Sequence, residues 1–303
     1  MKKPPVPGRY IDPLLDFSFK LLFGSPPTKD LLIAFLNELL LGELVITDLE
    51  YGKNEHPGEL KEEGGVIFDL HCTDTTGNNF LIEVQRIRQD NFENRVFYYA
   101  ARLISDQIPK GNRLAWNYEM KPTIVVAILE HSLPENAGNT HFIDELLLVR
   151  KSTGKISNKL TFKFIELAKF DKGLSDLRNS LDKWIYALKH MRDLKSLPAE
   201  FTEPVFKKLF DTAEYTNLTK EDKTMYDSSL KFKWDLENSK NYEKKLSREE
   251  GREEGRAEGV ELGMEKGEKS KALAIARKLK LMGLSPAEIS EIAGLTEAEI
   301  DGL

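Results

Sequence analysis

Cysteine is nearly absent from this sequence, and so are the long apolar runs that membrane proteins contain. A single cysteine, Cys72, excludes an intrachain disulfide framework and a zinc site built from several thiolates. No window approaches the roughly 18 consecutive apolar residues that a membrane-spanning helix needs, and no apolar signal segment follows the first lysines. We therefore expect a cytoplasmic protein that does not associate with membranes.

An excess of positive charge is also missing, as are the short motifs of several enzyme classes. The sequence has 44 Lys and Arg against 50 Asp and Glu, a net charge of -6. Nucleic acid binding would therefore need a local basic surface. The motifs HExxH, GxSxG and GxxxxGK[ST] do not occur, and the five histidines lack metal-ligand spacing. These absences disfavour zinc metalloproteases, esterases and P-loop nucleotidases.

Helical and strand-like patterns alternate in the first half of the chain. Two helical stretches between residues 12 and 41 are separated by Gly24-Ser25-Pro26-Pro27, and another helical pattern covers 92–108. Strand-like runs occupy 44–51, 66–73, 80–85, 123–129, 142–149 and 160–167. This order predicts an α/β fold with a mixed sheet flanked by helices.

The pattern becomes helical after about residue 170, which suggests a division of the chain into four parts. We predict a core at 1–170, a helical extension at 171–248, a Gly/Glu-repeat helix or connector at 249–270 and a small tail at 271–303. In the repeat, glycine recurs at every fourth position from Gly251 to Gly267. Each such glycine costs a helix about 1 kcal/mol relative to alanine. The repeat is therefore either a flexible connector or a close helix-helix contact.

The tail predicts short helices with well-defined starts. Ser285 with Glu288, and Thr296 with Glu299, each form the S/T-x-x-E pattern of a capping box. The arrangement is similar to a helix-turn-helix, but its last helix is acidic and lacks side chains that read bases. A protein-protein contact fits it better, and we expect the C-terminal helices to form a homo-oligomer.

A predicted hairpin carries the clearest chemical signal. The turn Thr75-Thr76-Gly77-Asn78 joins its strands, in which Asp69 alternates with apolar neighbours and Glu83 shares a face with Gln85. We expect Phe68 on the face opposite Asp69, together with Leu70 and Cys72. Two carboxylates on neighbouring strands can hold a hard divalent cation through oxygen ligands. Such a cation favours phosphodiester hydrolysis, because it polarises a phosphate and activates water.

Asp69 followed by Glu83-Val84-Gln85 resembles the D…ExQ form of the PD-(D/E)xK nuclease core, in which Gln replaces the Lys of the third motif. Asp16–Gly24 and Leu36–Leu40 resemble the N-terminal signature of the recombination-promoting nuclease/transposase family within that superfamily. Further similar positions are Arg95 with Tyr98-Tyr99, Phe164–Leu167, the helix of Trp184 and the Gly/Glu-repeat tail.

This resemblance implies a restriction-endonuclease-like fold and a metal-dependent endonuclease that acts on DNA, in recombination, mobile-element biology or phage defence. It implies Mg²⁺ or another divalent cation, Mn²⁺ or Ca²⁺, as cofactor. Asp69 and Glu83 would be the metal ligands and Gln85 would complete the active site. Asp16 and Lys20 are further candidates, because the first helix of the superfamily often adds an acidic residue to the cluster.

Several of these residues also have a structural interpretation. Asp16 is equally explained as a helix cap, and Lys20 as a solvated side chain. His71, on the Asp69 face, is more typical of a hydrogen-bonded structural histidine, so we leave it outside the site. Four arginines after the ExQ motif are either the local phosphate-binding surface or a solvated helix face: Arg86, Arg88, Arg95 and Arg102.

Two other functions remain open on the sequence alone. The acidic net charge and the missing lysine favour a catalytically weak or inactive nuclease-fold protein that acts as a DNA-binding or protein-interaction module. A helix-turn-helix transcription regulator is suggested by the tail alone.

Overall fold

The computed structural model describes residues 6–53, 55–56, 66–108, 117 and 119–303. Its helices are α1 Asp16–Phe23, α2 Lys29–Leu39, α3 Phe92–Ser105, α4 Ser180–His190, α5 Pro204–Ala213, α6 Lys220–Leu281, α7 Pro286–Ala293 and α8 Glu297–Asp301. Its strands are β1 Leu49–Tyr51, β2 Glu55–His56, β3 Val66–Ile67, β4 Leu70–Asp74, β5 Asn79–Gln85, β6 Thr123–Leu129, β7 Ile143–Arg150 and β8 Lys155–Glu166.

Six of these strands form one mixed sheet in the order β1-β4-β5-β6-β8-β7, and β2 pairs separately with β3. Strands β5, β6 and β8 are parallel, whereas the remaining neighbours are antiparallel. Every residue of β6 is buried, as expected for a central parallel strand that is covered on both faces. The predicted α/β fold with a mixed sheet is confirmed.

Helices cover both faces of the sheet. On one face, residues of α1, α2, α4 and α5 form a core with Ile82 and Val126. On the other face, α3 packs over Leu81 and Val125. Adjacent residues of β5 therefore enter opposite cores, as strand geometry requires. Glu83 lies two residues after Leu81 and so belongs to the face that α3 covers.

The first helices place two candidate residues beside the sheet. The predicted break is confirmed, because α1 ends before the Pro26-Pro27 pair and α2 begins after it. Phe19, Leu22 and Phe23 anchor α1 in the core. Asp16 and Lys20 lie on the more exposed side of α1, at the edge of the packed region.

The first strand of the predicted hairpin is interrupted. β3 ends at Ile67 and β4 begins at Leu70, and Phe68 enters the core under α3 whereas Leu70 and Cys72 enter the opposite core. The expectation that Phe68 shares a face with Leu70 is therefore wrong. A break at Phe68-Asp69 shifts the alternation by one residue. It leaves Asp69 just before β4, outside the regular ladder.

The turn of the hairpin forms where it was predicted. Asp74 Oδ1 accepts hydrogen bonds from the backbone N–H groups of Thr76 and Asn78, at 2.8 and 2.9 Å. Gly77 has φ of +89°, a conformation that favours glycine. These contacts fix the register in which β4 meets β5. The stretch between the predicted strands at 44–51 and 66–73 lies largely outside the described residues.

The chain contains two compact units, residues 1–232 and 233–303. The glycine repeat is helical throughout, inside α6, and the space around a Cβ at each of its five glycines is open to 4 Å. α7 and α8 begin at the two predicted capping boxes, which are both confirmed. Among the helices of the described residues, none is long and apolar enough to cross a membrane. The division at 170, 248 and 270 stays a prediction.

Candidate active site

Asp69 and Glu83 lie in contact at the point where β4 begins. The backbone N–H of Asp69 donates to Glu83 Oε1 at 3.3 Å, and Asp69 Oδ2 accepts a hydrogen bond from the N–H of Val84 at 2.7 Å. Pairing of β4 with β5 stops at Leu70 and Ile82. The Asp69 carboxylate thus takes the place of a backbone carbonyl in the ladder, which is a consequence of the break before it.

The charges of these two acids are unfavourable in the metal-free protein. Glu83 is only 5% exposed, and burial is the main cause that raises the pKa of its carboxyl, followed by the neighbouring charge of Asp69. Burial also raises the pKa of the Asp69 carboxyl, and the charge of Asp16 adds to this. Both acids therefore favour a nearby cation over simultaneous ionisation without one.

Gln85 and Arg95 form a second contact beside the acids. Arg95 Nη2 donates to Gln85 Oε1 at 2.6 Å, and its Nη1 donates to the side-chain oxygen of Gln89. The Gln85 amide nitrogen donates in turn to the backbone oxygen of Ile87. The positive charge of Arg95 lowers the pKa of both the Asp69 and the Glu83 carboxyls, so the guanidinium lies within electrostatic reach of the pair.

Asp16 and Lys20 face the same site from α1. Leu15, and not Asp16, is the N-cap of this helix, and no side chain caps it. Asp16 instead pairs with Lys20 at 2.7 Å and lines a pocket of about 220 Å³ together with Asp69 and Gln85. Helix capping therefore does not account for Asp16, which instead lines the pocket beside Asp69.

The four arginines do not lie together on one exposed surface. Arg86 is largely enclosed and pairs with Asp12 and Glu130 at 3.2 and 3.0 Å. Arg102 is also largely enclosed, near Asp106. Arg88 is more accessible and donates to the backbone oxygen of Ser132 at 2.8 Å. Arg95 donates to Gln85 of the ExQ motif.

His71 is placed away from this chemistry by its own contacts. Its Nε2 lies 3.4 Å from Asn79 Oδ1, at the opposite end of β5 from Gln85. The edge of its ring packs against Phe68, with ring centroids 6.2 Å apart. These contacts are those of a structural histidine, in line with its omission from the predicted site.

The oxygen ligands of the site fit a hard divalent cation. Nowhere in the described residues do three His, Cys, Asp or Glu side chains converge as a complete metal-binding group. Mg²⁺ does not require one, since proteins commonly bind it through one or two carboxylates while it keeps several waters. Asp69 and Glu83 supply two neighbouring acidic side chains, each with a carboxylate oxygen that accepts a backbone N–H. The pair therefore matches the ligand set of Mg²⁺.

Sequence reasoning missed the residues that hold Arg95. Its guanidinium lies over the rings of Phe92 and Tyr99, 5.1 and 5.8 Å from their centroids. These aromatic residues stand three before and four after Arg95, which is the spacing of neighbours on a helix and could have revealed them. No such spacing predicts the hydrogen bond from Arg95 to Gln89, because Gln89 lies in the irregular segment before α3.

Comparison with known proteins agrees with this geometry. The model of the PD-(D/E)XK nuclease family transposases matches residues 13–243, which is more than half of the chain and includes every residue of the candidate site. No curated protein and no solved structure gives a significant match. The resemblance read from Asp69, Glu83 and Gln85 is therefore confirmed at the level of the family. The chain belongs to the PD-(D/E)XK nuclease family transposases.

Proposed function

We propose that this protein is a metal-dependent DNA endonuclease that hydrolyses phosphodiester bonds, in recombination, mobile-element biology or phage defence. The family indicates nuclease- or transposase-related chemistry. The observation that supports hydrolysis is the part-buried contact between the Asp69 N–H and the Glu83 carboxylate, which brings the two acidic residues together.

Asp69 and Glu83 are the proposed ligands of Mg²⁺, for which Mn²⁺ or Ca²⁺ could substitute. When bound, the ion supplies Lewis acidity, which polarises a phosphate and lowers the pKa of a coordinated water. The chain orients both ligands beforehand: the Val84 N–H holds the Asp69 carboxylate, and the Asp69 N–H holds that of Glu83. Such supporting hydrogen bonds fix ligand geometry and keep the site from rearranging when the ion enters.

Other candidate residues line the approach to the acid pair. Asp16 adds a third carboxylate at the pocket, and Lys20 holds it by an ion pair. Gln85 completes the ExQ motif beside Glu83. Arg88 is the most accessible of the four arginines and is a proposed contact for a DNA phosphate, together with Arg95. Arg86 and Arg102 are less suited to that contact, because ion pairs engage them inside the fold.

Cleavage of supercoiled plasmid with Mg²⁺, Mn²⁺ or Ca²⁺ tests the proposal. Asp69→Asn and Glu83→Gln keep the shape of each side chain and should lower the rate by about 10²- to 10³-fold, as loss of one electrostatic stabiliser does. Asp74→Asn is the matched control, since Asp74 is a buried aspartate at the far end of β4 that accepts hydrogen bonds within the turn. Equal cleavage by wild type and both site variants would reject the assignment.

A non-catalytic function is favoured by two features of the sequence. The net charge is -6 and position 85 carries a neutral amide in place of lysine. A nuclease-fold protein without activity could still bind DNA or a protein partner. Calorimetric titration with Mg²⁺ separates the two functions: stoichiometric binding that Asp69→Asn abolishes supports the enzyme, whereas no binding by the wild type supports the inactive module.

We also infer that α6 pairs with α6 of a second copy. Ala257, Val260, Met264 and Gly267 follow one another at spacings of three, four and three, which is the pattern of a paired helix. Val260 and Met264 are 56% and 64% exposed, so this side of α6 has apolar surface to bury. Sedimentation should give a dimer or higher oligomer for the wild type and a smaller species for Val260→Glu with Met264→Glu.

A further inference from the structure

Arg95 occupies an unusual position for a surface arginine of a helix. It reaches from α3 to Gln85 and Gln89 and lies between the rings of Phe92 and Tyr99. Its Nε is buried and makes no hydrogen bond to any group that the structure describes. Four contacts with a planar guanidinium fix its orientation, which lysine could not reproduce.

Gln85 is the residue that these contacts engage most directly. Its side chain is 8% exposed, its oxygen accepts from Arg95, and its nitrogen donates to the backbone oxygen of Ile87. Because arginine only donates, the amide oxygen must face Arg95, and the orientation of the amide is settled. Both ends of the amide are thus engaged by the protein itself, and neither carries charge that could act on a phosphate.

The positive charge close to the two acids therefore comes from Arg95 and from Lys20 on α1, and not from position 85. Glu83 and Asp69 place two acids next to each other, and a phosphate would add further negative charge. A fixed cation beside developing negative charge is among the largest contributions to catalysis by electrostatic stabilisation. The Arg95 side chain is half-buried, and Gln85 and Gln89, to which it donates, line the pocket beside Asp69.

We propose that Arg95, held by Gln85, supplies the positive charge that the lysine of an E-x-K motif would supply, and that Gln85 is a positioning residue for it. This role rests on the proposed nuclease function. In this proposal Arg95 makes a stabilising contact with the phosphate being cleaved, and Gln85 anchors Arg95 by a hydrogen bond.

Two measurements on Arg95→Gln test this role. Its kcat should fall by about 10²- to 10³-fold with a smaller change in KM, since a fixed charge acts mainly on the transition state. Its affinity for Mn²⁺, measured by calorimetry, should rise by about threefold to tenfold, because a repelling charge has been removed. A merely structural arginine would weaken both catalysis and metal binding. Arg9→Gln, which removes an arginine paired with Glu214, is the control and should change neither value.

Relocating the charge gives the sharper test. Gln85→Lys combined with Arg95→Gln restores an E-x-K motif and should recover at least about tenfold of the kcat lost in Arg95→Gln. Arg95→Lys should be intermediate, because one ammonium cannot bridge both glutamines. Unchanged kcat in Arg95→Gln, or no recovery in a double variant that melts like the wild type, would overturn the proposal.

Failure of the nuclease function itself gives a different result. A wild type that binds Mn²⁺ but does not cleave DNA would reject the nuclease function. The Mn²⁺ affinity of Arg95→Gln would then decide whether Arg95 places its positive charge at this site. Unchanged or weaker Mn²⁺ binding by Arg95→Gln would overturn that charge role. A wild type that binds no Mn²⁺ would overturn both proposals.

A second inference concerns the hairpin of β7 and β8, which extends beyond the sheet. β6 pairs with β8 only from Leu160 onward, whereas β7 pairs with it as far as Lys155. Residues 148–159 therefore form a two-stranded ribbon with which no further strand of the described residues pairs. They contain Arg150, Lys151, Lys155 and Lys159 and no acid.

The ribbon concentrates positive charge that the protein does not neutralise. Arg150 and Lys155 are directly paired across the strands, an arrangement of like charges that destabilises a sheet. Both are exposed, as is Lys151 between them, and none of the three forms an ion pair within the described residues. In a chain with net charge -6, a DNA phosphate backbone is the complementary partner.

The geometry points to a contact of this ribbon with DNA outside the catalytic site. Glu83 is in register with Phe164, nine residues from Lys155 along β8, so the tip lies about 30 Å from the acids at roughly 3.3 Å per residue. That span corresponds to about nine base pairs at roughly 3.4 Å each. The ribbon should therefore touch long substrates and not short ones.

Binding of 8-bp and 20-bp duplexes without divalent ions tests the ribbon. Replacing Arg150, Lys151 and Lys155 by Gln should weaken binding of the longer duplex at least about tenfold and reduce its salt dependence by about one unit per lost contact. The control replaces three exposed lysines elsewhere, Lys195, Lys207 and Lys220. Equal effects on both duplexes, or no effect on the longer one, would overturn the inference. So would a changed oligomeric state, since Leu148, Val149 and Ile156 are also exposed there.

Discussion

Two of the regions in which this protein buries carboxylates have different surroundings. Glu166 is fully buried, with the Lys169 ammonium 2.8 Å away and further hydrogen bonds from Leu133 and Asn136. Glu83 is almost as buried, but the group in contact with it belongs to another acid, Asp69. In the first region, groups of the protein itself compensate the charge of Glu166, so this region is structural. The second brings two acids together, and under the proposed function a divalent cation would compensate their charges.

The largest effect expected from this comparison is on stability at Glu166. Glu166→Gln leaves the Lys169 ammonium buried without its counter-charge and should lower the free energy of unfolding by about 3–5 kcal/mol. Urea denaturation measures this, and cleavage by the remaining folded protein should be unchanged. A stability loss below about 1 kcal/mol would mean that the two regions do not differ as described.

A smaller effect is expected from divalent ions. Mg²⁺ at 100 times its Kd should stabilise the wild type by about 2.7 kcal/mol, because only the folded state assembles the two ligands. Thermal melting with and without EDTA measures the shift. It should disappear in Asp69→Asn and persist in Glu166→Gln. A shift of equal size in Asp69→Asn would place the ion elsewhere.

The pH dependence of the metal-free protein follows from the raised pKa of both site carboxyls. Below about pH 4 folded and unfolded states are both protonated at these groups. As the pH rises through neutrality, the unfolded state releases these protons first, so stability falls. Each unit by which a pKa is raised removes about 1.4 kcal/mol at high pH.

Glu83→Gln should therefore stabilise the metal-free protein at pH 8 and have little effect at pH 4. Urea denaturation at both pH values in EDTA gives the comparison. Glu166→Gln, by contrast, should be destabilising at pH 8. A destabilised Glu83→Gln at pH 8 would show that the acid pair is compensated internally, like Glu166.

The smallest effect is expected at Asp16. Its side chain is 65% exposed and paired with Lys20, so its charge is screened by water. Asp16→Asn should change stability by less than about 1 kcal/mol, and it should lower Mg²⁺ affinity only several-fold. Calorimetry checks the affinity; a loss as large as that of Asp69→Asn would make Asp16 a principal ligand.

Much of the site was predictable because strand alternation and turn chemistry are local. The spacing of Glu83 and Gln85 and the turn at Gly77 placed Asp69 close to Glu83. The break at Phe68 was not predictable, because its apolar side chain suits either core equally well. Only packing under α3 decides which core Phe68 enters, and with that choice the Asp69 carboxylate accepts a hydrogen bond from the Val84 N–H.

The sequence by itself determined the mixed α/β fold, the acidic hairpin, the capped helices of the tail and the family, since each depends on residues near one another or on a recurring motif. The tertiary structure alone decided which charges are compensated. Arg95 of α3 donates a hydrogen bond to Gln85 of β5, Arg86 forms an ion pair with Asp12, and Lys169 forms one with Glu166. Such pairings depend on distances between separate elements, and charge at a protein interior is governed by those distances and by the exclusion of water.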